Sequence, residues 1–312
     1  MNMKSDFHHV ETTVDVNSKI YHTIYTPEAV SVKGTVLILH GMQEHSGRYD
    51  ALARFLTEHG YAVLTYDHPG HGRTAGNNDN MGFFQKHNPT GFVLNVAKAM
   101  ATKLEQHFPD VPHFILGHSM GSFITRCLLQ EESHRFRAAV IVGTGGKMHG
   151  ATIAKNYLKM LNSLRPAQRS WVLNNVFSKM NNMRFSSEPG GDSTSWLSLS
   201  KTNREDFTSD PMNGVPFTYN GFYGLMSFVD RATRRDWAKS ISHDFPFLFI
   251  SGAQDPIGDF GKGVKTTVAH LQKDGFNDIT LHLYPEMRHE ILNEDIKQEV
   301  FERLLAWLEN HL

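Results

Sequence analysis

The sequence predicts an α/β protein: a mostly parallel central sheet with helices on both faces and an inserted, mainly helical segment. Three observations carry this. From Thr35 to Gly143, and again from Phe245 onward, short apolar runs alternate with stretches of helical periodicity. The runs are continuously apolar, as parallel strands buried on both faces should be. Between about Lys147 and Trp237 the alternation stops and no clean strand signal remains.

Taken in order, two polar–apolar alternating stretches open the chain, Val10 to Val16 and Ile20 to Tyr25, with Asn17-Ser18 as a hairpin turn. His8-His9 before them reads as a solvated end. TVLILH (35–40) is a strand, and Tyr49, Leu52, Ala53, Phe55 and Leu56 then recur at helical spacing. YAVLTYD (61–67) is a strand. Phe92 to Phe108 is a helix that Pro109 ends. HFILG (113–117) is a strand, MGSFITRCLLQ (120–130) a helix and AAVIVG (138–143) a strand. After the interruption come FPFLFISG (245–252), a helix near Lys262 to Lys273, ITLHLYP (279–285) and a last helix from Ile296 to Leu308.

The expected organisation is a core in two parts, 1–146 and 238–312, around an inserted cap or lid, 147–237. The insertion holds Tyr157, Trp171, Phe177, Phe185, Trp196, Phe217, Phe222 and Tyr223, and six of the chain's 13 methionines. These are too many for a solvated linker and call for an apolar partner. A subset is expected to line a channel, where a flexible thioether adapts to varied chains.

The 312 residues are 40% hydrophobic, enough for a large core. Lys and Arg number 31 against 32 Asp and Glu, which gives no footprint for nucleic acid and no polybasic membrane patch. No stretch approaches the ~20 apolar residues of a membrane span, and the first residues lack the apolar run of a signal peptide. A single cysteine, Cys127, excludes internal disulfides and reads as a core thiol. The expected setting is a reducing one, the cytoplasm.

Chemistry concentrates at FILGHSMGSF (114–123). Ser119 falls where a strand ends and a helix begins, with glycines two positions to either side. A turn that sharp brings strand and helix into contact, so side chains at 117 and 121 would collide. It exposes the serine oxygen above the strand ends, the geometry of a nucleophile elbow. A hydroxyl needs a base, and the base an orienting carboxylate. Composition does not choose among 19 histidines, but position does. Asp255 follows the strand at 245–250 and His289 follows the strand at 279–284, both on loops at matching strand ends. Asp259 is the main rival to Asp255. His118 adjoins the serine, but neighbouring side chains at a sharp turn diverge. His282 lies in a strand and His270 in a helix. Two backbone N–H groups should face the developing oxyanion, those of Met120 and Met42; Met42 also suits a hydrophobic lip. His68 and His71 in DHPGHGRT lack a third ligand and read as a structural turn.

HGMQEHSGRYD, YDHPGHGRT, LGHSMGS, SGAQDPIG and YPEMRHEILNE together resemble the monoacylglycerol lipase and lysophospholipase branch of the α/β-hydrolases, which includes serine aminopeptidase-type proteins. The resemblance covers residues 15–145 and 240–310, and DPMNGVPFT (210–218) is similar to a cap segment of the family. It implies Ser119 as nucleophile, Asp255 as acid, His289 as base, and Met42 and Met120 as oxyanion donors. Two departures stand out: Ser122 where a second glycine is common, and His68-Pro69 where an arginine-containing turn is common. The expected activity is cleavage of carboxylic esters with an apolar acyl chain through an acyl-enzyme, with no metal or organic cofactor. Thioester or peptide cleavage on the same residues is the alternative, and a non-catalytic ligand receptor a more distant one. The expected partner is a small ester, with at most transient contact with a membrane surface; the oligomeric state is not legible.

Overall fold

The computed structural model describes residues 1–10, 18–28 and 30–312. Its centre is an eight-stranded sheet. In chain order the strands are β1 (Asn2–Val10), β2 (Ser18–Thr26), β3 (Gly34–Leu39), β4 (Tyr61–Tyr66), β5 (His113–His118), β6 (Ala138–Val142), β7 (Phe247–Gly252) and β8 (Ile279–Tyr284). Side by side they run β1-β2-β4-β3-β5-β6-β7-β8. β1 pairs antiparallel with β2, and β2 with β4; every other neighbouring pair is parallel.

The apolar runs form strands buried on both faces because successive side chains point to opposite sides of a sheet. Val36 and Ile38 of β3 face one core, with Leu52 and Leu56 of α1 (Asp50–Glu58) and Leu304 of α10 (Lys297–Glu309). Leu37 and Leu39 face the other, with Val93 of α3 (Pro89–His107), Ile124 of α4 (Met120–Glu132) and Val264 of α9 (Lys262–Lys273). A short helix, α2 (Gly72–Ala75), follows β4. α3 starts earlier than apolar periodicity suggests, because the Asn88 side chain caps it by accepting from Gly91 N–H and Pro89 opens the first turn.

The chain's opening departs from the sequence reading. The first strand is Asn2–Val10, so His8-His9 lies within a strand, paired with Ile20 and Lys19. An antiparallel strand at the sheet's edge needs no apolar run, which is why composition hid it. The expected strand residues 11–16 and the turn residue Asn17 lie outside the described residues, and Ser18 begins β2.

Between β6 and β7 the chain forms four helices: α5 (Ala151–Leu164), α6 (Trp171–Asn182), α7 (Lys201–Ser209) and α8 (Tyr219–Ala232). The expectation that its large apolar residues all find partners is only half met. Phe185, Phe217 and Phe222 are buried, and α8 joins the main core through Phe222, Leu225 and Phe228. Trp171, at 78% exposure, and Tyr157, Met180 and Met183 instead face solvent.

Candidate active site

β5 runs into α4 at Ser119, whose backbone is forced to φ 54° and ψ −120°, a conformation that strains a residue with a Cβ. The glycines make the turn possible. A Cβ on Gly121 would stand 2.1 Å from the Leu39 carbonyl oxygen, and one on Gly117 would stand 2.3 Å from that of Gly121. The Ser119 N–H donates to the Val142 carbonyl at 3.0 Å. Ser122, in place of a glycine, donates its hydroxyl to the Ser119 carbonyl at 2.6 Å and so braces the turn.

β7 and β8 end beside this turn and deliver Asp255 and His289. The His289 Nε2 lies 2.8 Å from Ser119 Oγ, and its Nδ1 lies 2.9 Å from Asp255 Oδ2. Asp255 is fully buried and accepts a second hydrogen bond from the Ile257 N–H at 2.8 Å. A carboxylate only accepts, so the imidazole proton sits on Nδ1 and leaves Nε2 to take one from the serine. Asp259 is exposed, at φ 48°, and lines a cavity wall instead. The structure therefore joins Ser119, His289 and Asp255 in one hydrogen-bonded chain and leaves Asp259, His270 and His282 outside it.

Met120 is the first residue of α4, where a backbone N–H has no intrahelical acceptor. Met42 borders the same cavity as Ser119 and Met120, and its side chain packs on the core, as a lip would. The loop carrying Met42 is held by Glu44, whose Oε1 accepts from the Gly41 N–H at 2.5 Å.

Sequence reasoning did not anticipate the network behind these residues. His118 turns away from Ser119, but its Nδ1 meets Tyr49 Oη at 2.9 Å and Glu44 Oε1 at 3.3 Å, and its Nε2 donates to the His289 carbonyl at 3.1 Å. Arg48 forks onto both carboxylates, reaching Glu44 Oε2 at 2.8 Å and Glu290 Oε1 and Oε2 at 2.6 and 2.7 Å, and also Asn203 Oδ1 of α7 at 2.9 Å. Burial would raise the Glu44 carboxyl, but hydrogen bonding from His118 and the Arg48 charge outweigh it and hold the group well below the usual carboxylate range. Burial lowers His118, yet the Glu44 hydrogen bond and charge leave it net raised. The network ties the loop after β3, the elbow, the loop after β8 and α7 together. Its signal was the density of charged residues in HGMQEHSGRYD, with Glu44 and Arg48 four apart.

Ser119 borders a large cavity and a small one. One, about 500 Å³, is walled mainly by apolar side chains, among them Phe123, Phe177, Met180, Leu225 and Met226. The other, about 30 Å³, lies against His289, Trp196, Phe177 and Phe207. Away from the site, His40, His68 and His71 are buried together, with the rings of His68 and His71 4.2 and 5.1 Å from His40. Among the described residues no group of His, Cys, Asp and Glu is arranged to hold a metal ion. The Cys127 thiol is buried, which pushes it up to about 12 and leaves it unreactive.

The sequence profile described as "Serine aminopeptidase, S33" matches residues 30–296. Mouse monoglyceride lipase is 26% identical over 289 residues, covering 90% of this chain and 84% of its own length. The monoacylglycerol lipase of Mycolicibacterium smegmatis is 22% identical and covers 94% of each chain. Among solved structures, a thermostable carboxyl esterase from Bacillus coagulans in complex with glycerol superposes with a TM-score of 0.89 at 25% identity, over 100% of this chain and 99% of its own. A soluble variant of monoglyceride lipase from Saccharomyces cerevisiae shares the fold, with a TM-score of 0.75 at 20% identity over 98% and 94% of the two chains. With the profile spanning most of the sequence and the sheet, elbow and strand-end loops laid out as described, the chain belongs to the serine aminopeptidase, S33 family and is an α/β-hydrolase of the monoacylglycerol lipase-like branch, a branch of carboxylic ester hydrolases.

Proposed function

We propose that this enzyme cleaves carboxylic esters of an apolar acyl chain, of monoacylglycerol or lysophospholipid type, with Ser119 as nucleophile, His289 as base and Asp255 as its orienting acid. The observation that carries the reading is the 2.8 and 2.9 Å hydrogen-bonded chain that ends at Ser119 on the wall of an apolar cavity of about 500 Å³. His289 takes the proton as Ser119 attacks the carbonyl, gives it to the departing alcohol, then activates water to release the acid. Backbone N–H groups of Met42 and Met120 stabilise the oxyanion, each contributing about 3 kcal/mol. Residues 147–237 act as a cap over 1–146 and 238–312, since Phe177, Met180, Leu225 and Met226 of the insertion wall the cavity. The names of the mouse and yeast relatives, and the glycerol complex of the Bacillus coagulans esterase, agree with a glycerol ester as substrate.

The cap also suits contact with an anionic lipid surface. The chain's even charge balance conceals a local excess. Residues 141–187 carry seven Lys and Arg and no Asp or Glu, and among the described residues only Lys155 of the seven pairs with a carboxylate, that of Asp230. On α5, Ile153, Tyr157, Met160 and Leu164 form an exposed stripe at helical spacing; on α6, Val172, Val176 and Met180 form another. Met148, Met180 and Met183 are both exposed and on the cavity wall, so the acyl cavity opens onto this face. Like charges oppose covering it with a second copy, whereas an anionic bilayer complements both its charge and its apolarity.

The test of the substrate reading is a series of p-nitrophenyl esters from acetate to palmitate, beside thioesters and aminoacyl amides. Each buried CH₂ contributes about 0.8 kcal/mol, so kcat/KM should rise by up to about fifteen-fold per added pair of carbons and then level off. A flat profile, or faster turnover of thioesters or amides, would replace the lipase reading with one of those activities.

A further inference from the structure

Three consecutive residues of the inserted segment lie in register against three consecutive residues of the loop after β8. Arg288 Nη1 donates to the Ser195 carbonyl at 2.5 Å, and the Glu290 N–H donates to the Leu197 carbonyl at 2.8 Å. Between these two bonds the Trp196 ring rests on the His289 ring, centroids 5.1 Å apart and planes inclined by 30°. Trp196 is itself held from behind. Its backbone N–H donates to Asn182 Oδ1 at 3.0 Å at the end of α6, and Phe177 of α6 meets its ring edge-on at 6.2 Å.

We propose that Trp196 is a positioning residue for His289, its indole face stabilising the imidazolium that forms when Ser119 gives up its proton. The proposal rests on the reading of Ser119 and His289 as nucleophile and base. Proton transfer creates a positive charge on a ring only 3% exposed, where little water can solvate it. Asp255 supports that charge at Nδ1, in the ring plane. The π face of an indole attracts a cation lying within about 6 Å of its centroid, and this contact supplies that attraction at the ring face. The attraction is weak while the imidazole is neutral and strong once it is charged, so it lowers the barrier rather than tightening substrate binding. The register of 195–197 against 288–290 sets both rings, so the insertion reaches the chemistry through the base as well as through the cavity wall.

Other groups act on His289 from the elements packed around it. The His118 ring lies 4.9 Å away, backed by Glu44 and Arg48, and Arg288 and Glu290 flank His289 in the chain. None of the hydrogen bonds that hold these groups is made through the Trp196 side chain, so a graded series at that position isolates the ring.

Trp196→Phe keeps a weaker π face and Trp196→Leu fills space without one. The full-length variants are compared with the parent on one p-nitrophenyl ester by kcat, KM and pH profile, and by NMR titration of the His289 imidazole, which needs no turnover. The expected order of kcat is Trp, Phe, Leu, with Leu about five- to thirty-fold down and KM nearly unchanged. In the same order the acid limb of kcat/KM and the NMR midpoint of His289 should move to lower pH, because the charged form has lost its support. An unmoved midpoint, or Phe no better than Leu, would reduce Trp196 to packing and overturn the proposal. If Ser119→Ala retains activity while the midpoint still moves, the reading of the site fails and the ring contact stands, so the two failures are told apart.

Discussion

Asp255 and Asp259 stand four residues apart in one loop, and burial separates them. Asp255 is wholly inside and holds the Nδ1 edge of His289, whereas Asp259 is exposed at the cavity wall. Asp255→Asn should keep the fold but favour the wrong imidazole tautomer and lower kcat by up to ~10⁴-fold. Asp259→Asn should lose far less, and steady-state kinetics on both variants checks the pair; a reversed ranking would assign the acid to Asp259. The convergence of Ser119, Asp255 and His289 was legible in the sequence because each sits just past a recognisable apolar strand, and strand ends in a parallel sheet share one side. Trp196 was not legible. It is one tryptophan in a stretch without periodicity, and only the fold sets it against His289. Glu44 and Arg48 stood in a conspicuous charged block, but charge density alone does not say which loops a buried pair will join.

Among the elements, β3 to β8 and α9 and α10 were readable to within a few residues because continuous apolar strands and amphipathic helices have distinct periods. β1 was not, since an edge strand of polar residues leaves no apolar pattern. The helices α5 and α6 were hidden for a related reason: both of their surfaces carry apolar residues, so no single buried stripe stands out. That same two-sidedness leads to a prediction. The protein should co-sediment with phosphatidylcholine vesicles containing phosphatidylglycerol far more than with phosphatidylcholine alone. Lys159→Gln with Lys179→Gln should cut that binding about 25-fold, near five-fold per charge, while turnover of a soluble short ester stays unchanged. Equal binding to both kinds of vesicle, or a dimer that covers the face, would contradict it.

The whole molecule should be acid-sensitive. Burial is the main reason that His40 is lowered to about 4 and His71 to about 3. Their unfolded counterparts gain protons near pH ~6.5 while the folded ones do not. Full stability is therefore present above that pH and is lost as pH falls toward 4, with His40 alone worth on the order of 3 kcal/mol. Urea midpoints measured across this range should fall steadily, and His71→Leu should flatten the decline; a midpoint constant down to pH ~4 would mean these histidines are protonated in the fold. In the proposed mechanism the sheet, the strained elbow and two strand-end loops together activate one serine. Fluorophosphonate treatment followed by mass spectrometry of the intact and digested protein tests it most directly. A single adduct is expected, on Ser119, absent from Ser119→Ala, with kcat of that variant down at least ~10³-fold. An adduct on another residue, or turnover surviving in Ser119→Ala, would contradict it.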